Sequence, residues 1–306
     1  MSKVEVEKAH PESPSEESER DWAELHQDLL MVIFRKVGMR DVLLHASKVC
    51  SSWRSAARDD PLLCRRIDTV MAIQDFPDVF MFRGEERKAA KALYTRTVTE
   101  MTKVAVDWGG NCVEHLLIGK FFEYDLLDYV TKRARNLKSL SVIHSSHMFR
   151  NVESMANALG RLKQLEELRI VRCTIPSGTI MTVIGSACPQ LKRLKFIFPN
   201  FSGKFITHEE GISTQLGIPK TMLQLQYLQL VFTHTTTDEL MKILERCPNL
   251  EMLDLRSSTV EVKNDDIRTR FSKIHTLILP DDMLSQARNQ YDDRYGDIYK
   301  INPLII

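Results

Sequence analysis

Apolar positions in the first part of the chain fall in helical registers. Leu29, Leu30, Ile33, Phe34 and Val37 lie at i, i+1, i+4, i+5 and i+8, an apolar stripe on a short amphipathic helix. Gly38 closes that helix, because glycine accepts the positive φ of the residue just past a helix end. Asp41 is placed to N-cap a second helix carrying Val42, Leu43, Leu44 and Ala46. A third holds Val49, Trp53 and Ala56 and stops near Asp59-Asp60-Pro61, since proline has no amide hydrogen to give. Three such helices enclose only a small core, too small for so many large apolar side chains. The unit therefore either seals a larger domain behind it or offers an apolar face to a partner protein.

Further along, the pattern changes to a repeat. On an L-x-x-L-x-L frame the copies are Leu137/Leu140/Val142, Leu165/Leu168/Ile170, Leu191/Leu194/Phe196, Leu225/Leu228/Leu230, Leu250/Leu253/Leu255 and Ile274/Leu277/Leu279. A weaker early copy is Met101/Val104/Val106. Starts recur every ~24 to 36 residues, as in leucine-rich repeats with insertions. Helical patterns precede the copies, such as Met155-Ala156-x-Ala158-Leu159 and Leu240-Met241-x-Ile243-Leu244. One strand and one helix per repeat cannot bury their shared apolar face alone, so the repeats stack into a solenoid with parallel strands on a concave face and helices on a convex back. Cys188-Pro189-Gln190-Leu191 and Cys247-Pro248-Asn249-Leu250 mark helix-to-strand turns, where proline stops the helix and cysteine packs as a small apolar group.

Composition narrows the function classes. Of 306 residues, 43% are hydrophobic and 27% charged, ordinary for a globular protein, and a formal net charge of +1 supplies no general field for nucleic acid or an anionic membrane. Residues 1–19 are acidic and carry no apolar signal segment, and no run reaches the ~18 apolar residues of a spanning helix, so the expected location is cytoplasmic and/or nuclear. Cys50, Cys64, Cys112, Cys173, Cys188 and Cys247 are scattered and are read as buried thiols of a reducing compartment. His144 and His147 lack the further ligands zinc requires, and Gly119-Lys120 lacks the upstream glycine of a phosphate loop. Asp281-Asp282 and Asp292-Asp293 miss the spacing of a calcium loop, and Asn200-Phe201-Ser202 is a chance sequon. Cys112 and His115 have no orienting third group and read as a buried cysteine beside a surface histidine. No metal, cofactor or catalytic residue is expected.

The N-terminal stretch from Trp22 to Ile67 resembles an F-box. Leu25 with Asp28-Leu29, Asp41-Val42-Leu43, Val49-Cys50-x-x-Trp53-Arg54 and Asp60-Pro61-Leu62 match that motif in order and spacing. His26 stands where the family usually has proline, and Cys64 where an aromatic residue often follows. The Cys-Pro turns resemble those of plant F-box/leucine-rich-repeat proteins, and together the two resemblances cover about Trp22 to Leu279. They imply an α/β fold, a small three-helix F-box followed by a leucine-rich-repeat solenoid. The expected organisation is a disordered acidic segment over 1–20, the F-box over 21–67, a linker with a helical cap over 68–100, repeats over 101–280 and a tail or cap over 281–306.

By the same resemblance the chain binds a Skp1-like protein and, through it, cullin and RING subunits of a ubiquitin ligase, while its repeats hold an unknown target protein. The residues implied in Skp1 docking are Leu25, Leu29, Ile33, Leu43, Val49, Cys50, Trp53, Pro61 and Leu62. Trp53 is equally suited to internal packing. Target contacts are expected from outward strand positions, namely Glu167, Arg169, Arg193, Lys195, Tyr227, Gln229, Asp254 and Arg256. Arg169, Arg193 and Lys195 would form a small basic patch suited to an acidic or phosphorylated target segment. A repeat scaffold outside any ligase and a small-molecule co-receptor stay open as alternatives.

Overall fold

The computed structural model describes residues 21–69, 83–119, 124–144, 151–173, 180–197, 222–231, 233–256, 258–260 and 264–279. Residues 1–20, the tail over 281–306, Lys120, His147 and the Asn200 sequon lie outside the described residues.

The F-box region contains α1 (Gln27–Val37), α2 (Met39–Leu44) and α3 (Ser51–Arg58), with short 3-10 turns at Trp22–Glu24, Ala46–Lys48 and Pro61–Cys64. Gly38 ends α1 at φ 95°, and its N–H donates to the Phe34 carbonyl, as the glycine signal requires. Two local expectations need correction. Gly38 is also the N-cap of α2, so Asp41 lies within the first turn, where a carboxylate favours the positive end of the helix dipole. Val49 closes the preceding 3-10 turn, and α3 starts only at Ser51 after extended Cys50.

Eight parallel strands form the sheet. They are β1 (Arg66–Asp68), β2 (His115–Ile118), β3 (Ser139–Ile143), β4 (Glu167–Val171), β5 (Arg193–Ile197), β6 (Tyr227–Val231), β8 (Met252–Asp254) and β10 (Thr276–Ile278), neighbours in that order. A small parallel pair, β7 (His234–Thr235) with β9 (Thr259–Val260), stands apart from them. Among the described residues, helices α4 (Gly84–Gly109), α5 (Tyr124–Arg133), α6 (Val152–Leu159), α7 (Ile180–Ala187), α8 (Thr237–Arg246) and α9 (Asn264–Arg270) fall between strands of the sheet, one in each connection except that from β5 to β6. All six proposed copies supply strands in one continuous register, Leu140↔Leu168↔Leu194↔Leu228↔Leu253↔Leu277. Their frame leucines are buried almost throughout, each worth roughly 1.5–3 kcal/mol of burial.

The seventh copy, Met101/Val104/Val106, is helical and lies inside α4, so a boundary between cap and repeats at 100/101 cuts one helix in two. Instead β1 and β2 begin the array. Cys64-x-x-Ile67-x-Thr69 and Val113-x-x-Leu116-x-Ile118 occupy the same frame with Leu116 as the single leucine, and all six side chains are buried. The last turn of the F-box thus leads straight into the first strand of the solenoid. One apolar core runs without a break from Leu30 and Phe34 to Leu279.

α4 spans this junction, packing against α2, the Pro61–Cys64 turn and α5. Its last residue, Gly109, has ordinary helical φ, and what demands glycine there is space: a Cβ would meet Val113 Cγ2 at 2.7 Å and Cys64 Cβ at 2.9 Å. The sheet is also held at the entry to its strands by a row of alternating charge. Arg65, Glu114, Lys138, Glu166 and Lys192 occupy equivalent positions, each later residue donating its N–H to the carbonyl of the one before. Arg65 Nη2 and Lys138 Nζ reach Glu114 at 2.8 and 3.1 Å, and Lys192 Nζ reaches Glu166 at 3.1 Å. The hydrogen bond from Arg65, joined by that from Lys138, holds the Glu114 carboxyl below its ordinary range.

Candidate functional site

Two surfaces carry the functional candidates. The first is on the F-box. The apolar stripe of α1 divides, with Leu30 and Phe34 pointing into the core and Leu29, Ile33 and Val37 exposed at i, i+4 and i+8. Leu29 is 54% exposed, Ile33 43% and Val49 63%, and Leu62 projects from the 3-10 turn that packs on α1. Val32, Val37 and Trp22 are also exposed and were absent from the expected docking set. For the two valines the signal was a helix with more apolar positions than one face can hold, Leu29 through Phe34 being apolar without interruption.

Other members of that set turn inward. Leu43 is buried in the bundle, so its place is core packing and not a free docking surface. Trp53 is half-buried, its ring edge-on to Phe34 with centroids 5.6 Å apart, while its Nε1–H donates to the Trp22 carbonyl at 3.0 Å. Leu25 packs against the core as a half-buried group. Cys50 is half-buried, its thiol made more acidic by the hydrogen-bonding contact with Ser52 Oγ at 3.1 Å. Pro61 opens its 3-10 turn behind Asp60, whose buried carboxylate accepts from Leu62 N–H and receives Arg35 Nε at 2.7 Å and Nη2 at 2.9 Å. That ion pair fixes the Pro61-Leu62 turn to α1. The backbone at Leu25 (φ −60°, ψ 131°) and His26 (φ −57°, ψ 139°) already has the shape a Leu-Pro pair would impose. His26 replaces the ring with a side-chain cap, Nδ1 accepting from Asp28 N–H at 3.3 Å.

The second surface is the open face of the sheet. Strand alternation sets Glu167, Arg193 and Tyr227 in one row across β4, β5 and β6, and Arg169, Lys195, Gln229 and Asp254 in the next, reaching β8. Arg256 follows β8 and grips Asp254, Nη2 to Oδ2 at 2.7 Å and Nε to Oδ1 at 2.9 Å. Gln229 Nε2 donates to the same carboxylate at 2.9 Å and its Oε1 accepts from Tyr227 OH at 3.2 Å. Asp254 is wholly buried and Gln229 nearly so, which corrects their assignment as target contacts: they orient Arg256 and Tyr227 from beneath. Glu167 accepts from Ser139 Oγ at 3.0 Å and lies 4.0 Å from Arg169 Nε.

At the centre of these rows Lys195 is pushed down to about 8, first by burial and then by the neighbouring Arg169 charge. The sign of the consequence follows from linkage. Between pH about 8 and 10.5 the unfolded chain holds a proton that folded Lys195 has released, so this residue adds stability as pH rises through that window. The thiols of Cys64, Cys188 and Cys247, raised to about 12 by burial, act in the opposite sense above pH 9. Comparison with Lys195→Met isolates the lysine. The variant is expected to be the more stable at pH 7, with an advantage that shrinks toward pH 10 in urea melts; a constant difference across that range refutes the assignment.

The six cysteines are not uniformly buried. Cys112 is exposed and Cys50 half-buried, because Cys112 lies in the 3-10 turn after α4; neighbouring His115 is half-buried in the first row of the sheet, the reverse of the expected pairing. Among the described residues no group of three His, Cys, Asp or Glu side chains is placed to hold a metal ion, and no helix is long and apolar enough to cross a membrane.

Comparison with known proteins agrees with this division. The F-box domain family profile matches residues 22–65. F-box/LRR-repeat protein 22 of Arabidopsis thaliana is 32% identical over 280 residues, covering 90% of this chain and 81% of that protein. F-box/LRR-repeat protein 23 of the same plant is 29% identical over 86% of this chain, which spans 54% of the longer relative. Among solved structures, an internalin from Listeria monocytogenes superposes with a TM-score of 0.31 and 14% identity over 58% of this chain and 64% of that one. With its F-box, its leucine-rich repeats and a relative matched along most of both chains, the protein belongs to the plant F-box/LRR-repeat family.

Proposed function

We infer that this chain is the target-recognition subunit of a ubiquitin ligase of the Skp1–cullin–F-box type. F-box proteins are in general substrate adaptors, and the observation that carries the reading here is the exposed apolar stripe of Leu29, Ile33 and Val37 on an otherwise well-packed helical unit. An amphipathic helix with a second apolar face needs a partner groove for it. A Skp1-like protein supplies that groove, with Val49 and Leu62 as further contacts, and brings cullin and RING subunits. Catalysis then belongs to those partners, and this chain takes no part in bond chemistry.

Its contribution is geometric. The open face of the sheet binds the target protein through Arg169, Arg193, Lys195, Tyr227, Glu167 and Arg256, and the unbroken core through α4 keeps that face at a fixed distance from the Skp1 end. A target lysine is thereby held near the charged conjugating enzyme at raised effective concentration. The proposed setting is cytoplasmic and/or nuclear, with no cofactor.

Size-exclusion chromatography of the full chain with a purified Skp1-like protein and a cullin–RING pair provides the test. The expected result is co-elution of all components as one complex at micromolar concentrations. A well-folded chain that elutes alone overturns the proposal.

A further inference from the structure

The centre of the open face sets a lysine amine among guanidinium groups. Lys195 is half-buried in the middle of β5, and Arg169, its register partner on β4, lies one strand spacing away, about 4.8 Å at the backbone. Arg193 stands two residues before Lys195 on the same face, and Arg256 closes the group beyond β8. Two carboxylates share the site. Glu167 pairs with Arg169 at 4.0 Å and accepts from Ser139 Oγ, while Asp254 pairs with Arg256 at 2.7 Å and accepts from Gln229. Among the described residues four cations thus meet two carboxylates, and Lys195 is the one of the four that can shed its charge near neutral pH, since a guanidinium stays protonated. Burial is the largest cause of its lowered value of about 8 and the Arg169 charge the next; Arg256 acts in the same sense, and Asp254 and Glu167 oppose them.

We propose that the Lys195 amine is a carbon dioxide site, carboxylated reversibly to a carbamate that Arg169 and the neighbouring guanidinium groups hold. The amine lone pair attacks the carbon of CO2, a C–N bond forms as one C=O electron pair moves onto oxygen, and the nitrogen gives a proton to water. The product is an N-carboxylate, formed without an oxidant, a second substrate or a leaving group. One cation is lost and one anion gained, so the site is left with as many carboxylates as guanidinium groups. A guanidinium has five N–H donors, so Arg169 can serve Glu167 and a second carboxylate together. Acylation by a neutral group would cancel the lysine charge and offer the guanidinium groups no acceptor of opposite sign. Carbon dioxide is also small and uncharged, which suits an amine that burial shields from larger electrophiles.

Carbamate formation releases a proton, so occupancy at fixed dissolved CO2 falls as the pH falls and the amine is protonated. The groups facing Lys195 are Arg169 and Glu167 from β4, Arg193 on its own strand, Tyr227 and Gln229 from β6, and Asp254 with Arg256 beyond it. The carbamate site stands independently of the receptor reading. On that reading, carbon dioxide turns the central charge of the target surface from positive to negative.

In the experiment the full chain is equilibrated with isotopically labelled bicarbonate and carbon dioxide, treated with an alkylating oxonium salt that fixes carbamates as esters, digested and mapped by mass spectrometry. At about pH 8 the Lys195 amine is neutral roughly a hundredfold more often than an ordinary lysine, so labelled ester is expected on Lys195 at about a hundred times its level on exposed Lys88 when CO2 is sub-saturating. Arg169→Gln is expected to lower the occupancy of Lys195 about tenfold, the loss of one charge-assisted hydrogen bond to the product. No ester on Lys195, an ester no more abundant there than on Lys88, or occupancy unchanged in Arg169→Gln each overturns the inference. Circular dichroism melts show that the variant is folded, and capture of a Skp1-like protein, measured alongside, reports on the receptor reading separately.

Discussion

Replacing Leu29 and Ile33 together by Asp is expected to abolish capture of a Skp1-like protein while leaving the chain folded. Both side chains are largely exposed in the free protein, and neither belongs to the core that Leu30 and Phe34 form on the opposite side of α1. Exposed substitutions of this kind cost little beyond helix propensity, roughly 0.5–0.7 kcal/mol for each Asp. At an interface the same changes are severe. Two carboxylates would be carried into an apolar groove without partners, at several kcal/mol each, which exceeds a hundredfold in affinity (~2.8 kcal/mol). Surface plasmon resonance against the Skp1-like protein, with circular dichroism melts on the same samples, separates the two effects. Retained binding by the folded double variant would show that this stripe is not the docking face.

Gly109→Ala is expected to strike the junction between the F-box and the repeats. The added Cβ meets Cys64 Cβ at 2.9 Å and Val113 Cγ2 at 2.7 Å, closer than carbon atoms approach in folded proteins, with the Cys64 carbonyl at 3.3 Å behind them. Ordinarily alanine improves a helix by up to about 1 kcal/mol over glycine, so a loss here has to come from the clash. Overpacking of a buried contact costs about 1–3 kcal/mol, enough to lower the melting temperature by several degrees. Val113→Ala in the same chain removes one of the two clashing carbons, so the double variant should be more stable than the two separate losses predict. Additive losses in differential scanning calorimetry would mean that the helix end does not bear on the F-box turn as tightly as its geometry shows. In the function proposed above, α4 and this contact would fix the separation between target and ligase.

The neutralisation of charge across the molecule shows how local chemistry and placement combine. Glu114, bracketed by Arg65 and Lys138, is a counter-charge between repeats, whereas Lys195 occupies a strand position whose neighbours are Arg169 and a Gln. Both are ordinary charged residues in the sequence. Only the stacking of repeats, which brings residues ~25 positions apart to within one strand spacing, makes one of them a structural tie and sets the other beside a like charge.

The sequence alone determined the solenoid. Six copies of the L-x-x-L-x-L frame left no other assignment, because alternate leucines can be buried together only on strands and a single repeat has nothing to bury them against. The F-box was legible for a related reason, since its motif residues and the helix stop at Gly38 are short-range signals. What tertiary structure decided was everything that depends on which neighbour a residue meets. It extended the array by β1 and β2, whose Cys64, Ile67, Thr69 and Val113 carry the frame without leucine and are recognisable only once the adjacent strand buries them. It divided the stripe of α1 between a core side and an exposed side, because α3 and the Pro61–Cys64 turn cover one flank of that helix and leave the other open. It also withdrew Leu43 and Asp254 from the surface. Burial is a relation between elements, and a linear pattern records which side chains avoid water but not which surface they will share.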